Sequence, residues 1–280
     1  VLLGNGDGTF QSQQTFATGT IPNSVTLGDV NGDGKLDMVT ANRQSANASV
    51  LLGNGDGTFQ SQQTFATGTI PNSVTLGDVN GDGKLDMVTA NRQSANASVL
   101  LGNGDGTFQS QQTFATGMNP ISVTLGDVNG DGKLDMVTAN AGSDNASVLL
   151  GNGNGTFQGQ QTFGTGFNPI SVTLGDVNGD GKLDIVTANR QSDNTSLFLG
   201  NGDGTFQNQQ TFATGARPIG VTLSDVNGDG KLDIVTANFN DNNASVLLGN
   251  GNGTFQGQQT YSAGTGPISV TLSDLNGDGK

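Results

Sequence analysis

Short runs of apolar residues alternate with turns rich in Gly, Asn and Asp along the whole chain. In residues 1–49 the apolar runs are Val1–Leu3, Ser24–Val30 and Leu36–Asn42. Runs of this length, rich in Val, Thr and Leu and bounded by turn residues, are typical of β-strands and too short for helices. A fourth segment, Thr9–Phe16, is polar with Phe at both ends, which predicts a strand at the exposed edge of a sheet. The pattern therefore predicts an all-β chain with four antiparallel strands in each unit.

The unit recurs every 49 residues without insertion or deletion, and residues 1–49 and 50–98 are identical. Later units cover residues 99–147, 148–196 and 197–245, followed by a partial unit over 246–280. Tandem four-stranded sheets with a period of about 40–50 residues are typical of β-propellers, in which each blade is stable only against its neighbours. We therefore predict a single β-propeller domain over residues 1–280.

The ends of the chain predict how the ring closes. Six blades result if the terminal segments share the closing blade, with Ile268–Leu275 as its first strand and Val1–Phe16 as its last two. This blade lacks a second strand, because the partial unit ends at Lys280. Three explanations stay open: the natural chain continues, the strand comes from another molecule, or the blade has three strands. We expect a monomer, with strand exchange at the incomplete blade as the alternative.

Composition and charge exclude several classes of function. His and Cys are absent, which removes disulfides, Ser-His-Asp chemistry and the usual zinc ligands. The ten Lys and Arg residues form no patch, which argues against nucleic acid as a partner. No apolar run approaches the roughly 18 residues of a membrane-spanning helix, so no membrane insertion is expected. All 24 acidic residues are Asp, and they give the chain a formal net charge of −14.

Most of these Asp residues lie in copies of one stretch, Asp29-Val30-Asn31-Gly32-Asp33-Gly34-Lys35-Leu36-Asp37. Oxygen-bearing side chains occupy positions 1, 3, 5 and 9 of this loop, and Gly occupies positions 4 and 6. Calcium takes six to eight oxygen ligands at about 2.3–2.6 Å, and Gly at position 6 allows the sharp turn that directs the oxygens inward. A plain hairpin turn would explain the Gly residues alone, but not Asp at three fixed offsets in every complete copy. The loop therefore predicts one calcium ion per complete copy, five in all, with a sixth in doubt at the truncated copy.

This loop and the Leu-Leu-Gly-Asn-Gly-Asp-Gly-Thr-Phe stretch that follows it resemble the FG-GAP/VCBS repeat over the whole chain. That repeat forms the calcium-loaded blades of integrin α-subunit propellers and of many bacterial surface proteins. The resemblance implies that the loop joins the first two strands of a blade. It also implies that side chains bind calcium at positions 1, 3, 5 and 9 and that a backbone carbonyl binds it at position 7. The implied ligands, with each Lys contributing only its carbonyl, are Asp29, Asn31, Asp33, Lys35, Asp37, Asp78, Asn80, Asp82, Lys84, Asp86, Asp127, Asn129, Asp131, Lys133, Asp135, Asp176, Asn178, Asp180, Lys182, Asp184, Asp225, Asn227, Asp229, Lys231, Asp233, and, in the truncated copy, Asp274, Asn276 and Asp278.

Calcium loops also predict a compartment. Extracellular calcium modules bind with dissociation constants on the order of 10⁻⁴–10⁻³ M, and such sites would stay empty in resting cytosol. We therefore expect an extracellular or cell-surface location. Val1 falls within a repeat, so the targeting segment is expected to have been removed or to lie elsewhere in a longer chain.

Two other repeated features are assigned structural roles. Asp7 recurs in the turn after the third strand, and Asn stands at the same point in two later units, which a turn permits. A turn role is therefore predicted for this position, rather than a metal role. Phe10 and Phe16 are predicted to anchor packing rather than to bind a ligand. The equivalents of Asp7 are Asp56, Asp105, Asn154, Asp203 and Asn252.

The differences among units cluster in two connections, Thr20–Asn23 and Arg43–Ala46, which an up-and-down blade places on the face opposite the calcium loops. Variable loops on a rigid scaffold often carry binding specificity, although neutral drift predicts the same pattern. Nearly identical blades do not supply the unlike residues that an enzyme site needs, and neither His nor Glu is present for acid–base chemistry. We therefore predict a calcium-binding structural or adhesive propeller without catalytic activity. The alternative is a carbohydrate-binding propeller that uses the variable loops, although the chain has no Trp and only one Tyr for stacking on sugars.

Overall fold

The computed structural model of the chain describes residues 1–275 and contains five four-stranded antiparallel sheets. The first blade comprises β1 (Pro22–Gly28), β2 (Asp37–Asn42), β3 (Asn47–Leu51) and β4 (Gln63–Ala66). The second comprises β5 (Pro71–Gly77), β6 (Asp86–Asn91), β7 (Asn96–Leu100) and β8 (Gln112–Ala115). The third comprises β9 (Pro120–Gly126), β10 (Asp135–Asn140), β11 (Asn145–Leu149) and β12 (Gln161–Gly164). The fourth comprises β13 (Pro169–Gly175), β14 (Asp184–Asn189), β15 (Asn194–Phe198) and β16 (Gln210–Ala213). The fifth comprises β17 (Pro218–Ser224), β18 (Asp233–Asn238), β19 (Asn243–Leu247) and β20 (Gln259–Ser262).

The all-β prediction is confirmed, since every regular element between residues 1 and 275 is a strand. Over that range the chain accordingly has no helix that could cross a membrane. Within each blade the strands follow in sequence order from the first to the fourth. The second and third strands are almost wholly buried, including the polar side chains of Thr40, Asn42 and Ser49. The polar fourth strand is largely exposed, as predicted.

The hydrophobic core lies between successive blades. Val39 and Ala41 in the first blade and Val74 and Met87 in the second belong to one buried cluster, and the later junctions repeat this packing. Aromatic rings strengthen the outer part of each junction: Phe65 meets the Phe of the next unit edge-to-face at a centroid distance of 5.3 Å. Phe16, which meets Phe59 in the same way, therefore serves as a packing anchor, as predicted, whereas Phe10 is 50% exposed.

The fourth strand is shorter than predicted. The expected strand over residues 58–65 belongs to the second sequence unit and forms the fourth strand of the first blade. It is reduced to Gln63–Ala66 and is preceded by an isolated bridge between Gly53 and Phe59. The hairpin turn itself is closed, since the N–H of Gln60 donates to Leu52 O at 2.8 Å. The ladder is interrupted beyond it, where the register shifts by one residue between the Gly53–Phe59 bridge and the Val50–Gln63 pair. In the first unit only the bridge between Gly4 and Phe10 remains, so Val1–Leu3 and Thr9–Phe16 form no regular strands.

The prediction of six blades is wrong for the part of the chain that the structure describes, which forms five. The segment 268–275 lies beside β17, since a Cβ on Gly220 would stand 3.1 Å from the Cα of Ser269. This segment forms no strand. Residues 1–16 pack on the first blade, where Phe16 meets Phe59 at 5.1 Å. Neither terminal segment is a regular strand, and the two share no sheet within residues 1–275, so the predicted closing blade does not form there.

A buried polar network ties each blade to the connection before its first strand. The Asn42 side chain is fully buried and donates to Asn47 Oδ1 at 2.9 Å and to Ser49 Oγ at 2.8 Å. Ser49 Oγ also accepts from the N–H of Gly19 at 3.2 Å. The composition and spacing of the repeat do not predict this hydrogen-bonding role of Asn42. The recurrent Thr-Ala-Asn at the end of the second strand is the signal that could have indicated it. The network holds the variable connections in place.

Candidate metal-binding loops

The Asp-rich loop leaves the sheet where the first two strands stop pairing. Gly28 pairs with Asp37 at the end of the ladder between β1 and β2, and residues 29–36 connect them outside the sheet. Gly32 and Gly34 have φ values of 75° and 80°, a left-handed conformation that side chains rarely adopt. The loop therefore joins the first and second strands, as the family resemblance implies.

The first Asp of the loop organises its backbone. Asp29 Oδ1 accepts hydrogen bonds from the N–H of Gly32 at 2.7 Å and of Asp33 at 3.1 Å, and Oδ2 accepts from Gly34 at 2.7 Å. These backbone N–H groups, with that of Gly34 first, lower the pKa of the Asp29 carboxyl. The same bonds recur around Asp78, and in every complete loop that follows. The Asp29 carboxylate is thus held ionised at the loop centre.

The third and fifth positions lie closer to solvent. Asn31 Oδ1 accepts from the N–H of Asp33 at 3.0 Å, and Asp33 Oδ1 accepts from the N–H of Lys35 at 3.0 Å. The second oxygen of Asp33 lies 3.5 Å from Lys35 Nζ, an exposed pair that contributes little to stability. Asp33 therefore has one carboxylate oxygen with no backbone hydrogen bond and a mobile cation beside it.

The ninth-position Asp is the buried floor of the loop. The Asp37 side chain is 0% exposed, and it accepts from the N–H of Val30 at 2.9 Å and of Gly53 at 2.7 Å. It therefore links the loop to the turn that follows the third strand. Gly53 has to be Gly here, because a Cβ would stand 2.1 Å from the carbonyl oxygen of Leu36.

Within residues 1–275 no Lys or Arg forms an ion pair with the ninth-position carboxylates, and at three of them the pKa is raised. Burial raises the pKa of Asp86 and of Asp135, and it raises the pKa of Asp184 to about 6 against its ordinary 3.8. The N–H groups of Gly200 and Val177 oppose this effect at Asp184 without cancelling it. A positive ion above the floor would relieve this cost, because opposite charge favours the ionised carboxylate.

Each complete loop brings its predicted residues into one compact turn, but their oxygens do not surround a common point. Among residues 1–275 no group of three or more acidic side chains has the arrangement of a metal site. Of the truncated copy only Asp274 belongs to the described part of the chain, and Asn276 and Asp278 lie outside it.

The donor chemistry of the loops nevertheless fits calcium. Each complete loop offers three carboxylates, one amide oxygen and a backbone carbonyl, all of them hard oxygen donors. The carboxylate oxygens that accept N–H bonds keep further lone pairs, since each oxygen has two. Asp29, Asn31, Asp33 and Asp37, with the carbonyl of Lys35, would hold the ion in the first loop.

The loops also touch the neighbouring blade. The carbonyl of Val30 in the first loop accepts a hydrogen bond from the N–H of Gly106 in the second-blade turn at 3.2 Å. The same bond runs from Gly155 to Val79 at the next junction. Each of these loops thus forms part of a contact between blades.

The turn role predicted for Asp7 and its equivalents agrees with their hydrogen bonds. Asp105 Oδ1 accepts from the N–H of Thr107 at 2.9 Å and from its hydroxyl, and these bonds lower the pKa of Asp105. Asn154 accepts the same two bonds from Thr156. Asp and Asn are therefore interchangeable at this position.

The comparisons with known proteins agree with the repeat. The family model described as FG-GAP-like repeat matches the chain over residues 1–40, 29–89, 78–138, 127–187, 176–236 and 225–280. No curated protein matches the chain.

Several solved structures have a similar fold at low sequence identity. A lectin of Agrocybe aegerita that recognises non-reducing terminal N-acetylglucosamine has a TM-score of 0.63 at 20% identity, covering 92% of this chain and 73% of that one. Streptogramin B lyase has a TM-score of 0.61 at 15% identity, covering 88% and 70%. The V. cholerae biofilm matrix protein Bap1 has a TM-score of 0.54 at 18% identity, covering 90% and 41%.

Proposed function

The chain belongs to the FG-GAP-like repeat family, and on that premise we propose that it is a calcium-binding structural or adhesive propeller without catalytic activity. Each complete Asp-rich loop takes one calcium ion, and the ions stabilise the packing of the blades. The observation that carries the proposal is the buried carboxylate at the ninth loop position, typified by Asp184, which forms no ion pair with any residue between 1 and 275.

Charge supports this assignment. The five complete loops each place three carboxylates within nine residues, and the neighbouring Lys is an exposed partner at 3.1–4.0 Å. Exposed ion pairs of this kind contribute at most about 1 kcal/mol, which does not offset the repulsion among three carboxylates and the burial of the ninth-position one. Five calcium ions would bring the formal charge from −14 to −4.

The position of the loops supports a structural role. Asp37 joins the loop to the turn at Gly53, and the loop carbonyl of Val30 bonds to the next blade at Gly106. An ion that fixes the loop therefore also fixes the contact between blades. We propose an extracellular or cell-surface location, where calcium is abundant enough to fill such loops, and a monomer as the working state.

The absence of catalysis is part of the proposal. The chain has no His, Cys or Glu, and the fold of streptogramin B lyase at 15% identity carries no information on activity here. The Asp side chains that remain are engaged with backbone N–H groups in the loops and turns.

Calcium stoichiometry tests the proposal. Equilibrium dialysis of the 280-residue chain against calcium, after removal of metal with EDTA, is expected to give about five bound ions per chain at saturation. Magnesium at the same concentration is expected to compete weakly, because it demands a smaller octahedral site. Absence of calcium binding at about 10 mM, which is ten times the weakest extracellular range, would overturn the proposal.

A second candidate function is carbohydrate binding by the variable-loop face. We define this face as residues 18–23 and 43–46 and their equivalents in the other units. A specific observation favours it: a cleft of about 490 Å³ opens there between the first two blades. Binding of immobilised glycans by the calcium-loaded chain tests this candidate, and a blank screen in saturating calcium would remove it.

A further inference from the structure

The two faces of the molecule differ in charge. Arg43, Arg92, Arg190 and Arg217 all lie on the variable-loop face, and the five Lys residues of the complete loops lie on the other. Only three Asp residues share the variable-loop face, at positions 144, 193 and 241, and all belong to the third, fourth and fifth blades. The face is therefore locally positive over the first two blades, although the whole chain has a net charge of −14.

The cleft between the first two blades contains one of these arginines. Its walls include Ile21, Arg43, Gln44, Ala46, Ile70 and Gln93. No ion pair or side-chain hydrogen bond of Arg43 exists within residues 1–275, and no acidic side chain lines the cleft. The Arg43 guanidinium is thus a free cation beside two amide side chains.

A comparison with later junctions shows what the cleft lacks. At the junction of blades three and four, Asp144 Oδ1 accepts a hydrogen bond from the N–H of Asn168 at 2.7 Å. At the next junction, Asp193 Oδ1 accepts from the N–H of Arg217 at 2.7 Å. The equivalent of these Asp residues in the first blade is Ala46, which has no oxygen to offer.

The consequence falls on the backbone of the second blade. Within the described residues the N–H of Ile70, which corresponds to that of Asn168, has no acceptor. At the junction of blades three and four, Ala141 stands at the position equivalent to Arg43, and its carbonyl accepts a hydrogen bond from Asn168 Nδ2 at 3.1 Å. That third junction is therefore closed by its own side chains. A carboxylate supplied from outside would restore at Ile70 the bond that Asp144 makes at the later junction.

From this arrangement we infer that the cleft between blades one and two binds a carboxylate-bearing sugar of the uronic acid class. The carboxylate is bound by the Arg43 guanidinium and the Ile70 N–H, since Arg forms paired hydrogen bonds with carboxylates. The amides of Gln44 and Gln93 face the sugar hydroxyls, and the volume of about 490 Å³ suits one or two sugar rings. The inference deepens the second candidate function by naming its site and ligand class.

The acidic loops do not oppose this binding. The seven residues of β1 separate the two faces, a span of about 20 Å at roughly 3.3 Å per residue. The Debye length is about 8 Å at physiological ionic strength, so the loop charges are screened before they reach the cleft. Binding is therefore expected both in calcium and in EDTA, provided that the protein remains folded.

The test is titration of the folded chain with galacturonate, galactose and acetate, followed by NMR or calorimetry. Because the second junction also has an arginine without a neighbouring Asp, Arg92 beside Ala95, although Gly142 replaces Gln93 there, the variant replaces both arginines, Arg43→Ala with Arg92→Ala. We expect galacturonate to bind at least tenfold more tightly than galactose or acetate, and the double variant to lose at least tenfold in affinity. Ala46→Asp with Ala95→Asp, which copies the closed third junction, is expected to abolish binding.

Arg190→Ala is the matched control, because its junction already holds Asp193. It should bind galacturonate as the parent does, and a loss equal to that of the double variant would overturn the assignment. Equal affinity for acetate and galacturonate would show recognition of a free carboxylate and overturn the sugar class. Binding of galactose without preference for galacturonate would overturn the inference and leave the second candidate function in place, whereas no binding of any glycan would end both.

Discussion

Replacement of Asp82 by Asn separates the metal role of the loop from its role in folding. Asp82 occupies the fifth position of the second loop, and its Oδ1 accepts the N–H of Lys84 at 3.0 Å. An Asn amide oxygen keeps this hydrogen bond while removing the charge. The pair with Lys84 Nζ, 4.0 Å long and exposed, contributes at most about 1 kcal/mol. In EDTA the variant should therefore be nearly as stable as the parent.

In calcium the variant should be clearly less stable. A ligand present at about 100 times its Kd stabilises the native state by about 2.7 kcal/mol per site, or roughly 13 kcal/mol for five sites. Unfolding entropy of about 2.1 cal/mol/K per residue gives roughly 0.6 kcal/mol/K for this chain, so one site corresponds to about 4–5 °C in Tm. The parent should therefore melt roughly 20 °C higher in calcium than in EDTA. Asp82→Asn has four working sites in place of five, so calcium should raise its Tm by about four fifths of that difference.

Calorimetry in 10 mM calcium and in EDTA measures both quantities, at about 100 times a Kd of the order of 10⁻⁴ M. Asp105→Asn is the matched control, because Asn154 and Asn252 already stand at the equivalent turn position, and its Tm should not change in either condition. A parent Tm that is the same in calcium and EDTA would refute the reasoning. So would a loss for Asp82→Asn that is equally large in both.

Three further predictions concern stability. Ile70 has a φ of 58°, and the equivalent positions in later blades are Asn119 and Asn168. Asn adopts a positive φ more readily than a β-branched residue. Ile70→Asn should therefore raise the free energy of unfolding, measured in urea, by about 1 kcal/mol, and Asn119→Ile should lower it. Gly102→Ala should destabilise the protein by about 3 kcal/mol, because its Cβ would stand 2.2 Å from the Leu85 carbonyl oxygen. Gly159→Ala is the control, because a Cβ there would have no atom within 4 Å. Equal urea midpoints for the two variants would contradict this prediction. For Asp184 the pKa rises from 3.8 to about 6 in the native state, so the native state holds the proton more tightly. That stabilisation is present below about pH 4 and is lost as the pH rises through about 6, so in EDTA the contribution of Asp184 to the free energy of unfolding should fall by roughly 3 kcal/mol between about pH 4 and 7. Burial shifts Asp86 and Asp135 in the same direction. Calcium should abolish the fall, and a flat Tm in EDTA would count against it.

Local chemistry made much of the fold predictable. Glycines at fixed loop positions, Asp at the strand end and alternating short apolar runs predicted the strands and the position of the loop between β1 and β2. The fourth strand was predicted too long, because a one-residue register shift between the Gly53–Phe59 bridge and the Val50–Gln63 pair interrupts the ladder. The pattern of Gln and Phe cannot reveal this, since it describes side chains and the interruption lies in the backbone.

Within the loop, the sequence indicated which residues carry side-chain oxygens, but not which N–H groups donate hydrogen bonds to those oxygens. Asp29 serves three backbone N–H groups, and Asp37 bonds to Gly53 in a turn that lies beyond the third strand. The second of these bonds depends on tertiary structure, so spacing within the loop could not predict it. It explains why the ninth-position Asp is buried while the fifth is exposed.

Units 1–49 and 50–98 have the same sequence and yet different surroundings, and this limits what a repeat can reveal about its own assembly. Val25 is 60% exposed and Val74 is 5% exposed, although their neighbours along the chain are identical. Val74 is covered by the first blade, whereas residues 1–16 reach only the outer part of the face that contains Val25. Burial in this fold is therefore a property of the junction between blades and not of the blade. The repeat predicts each blade and both sides of each junction, but the sequence of one unit does not specify which of its faces the fold covers.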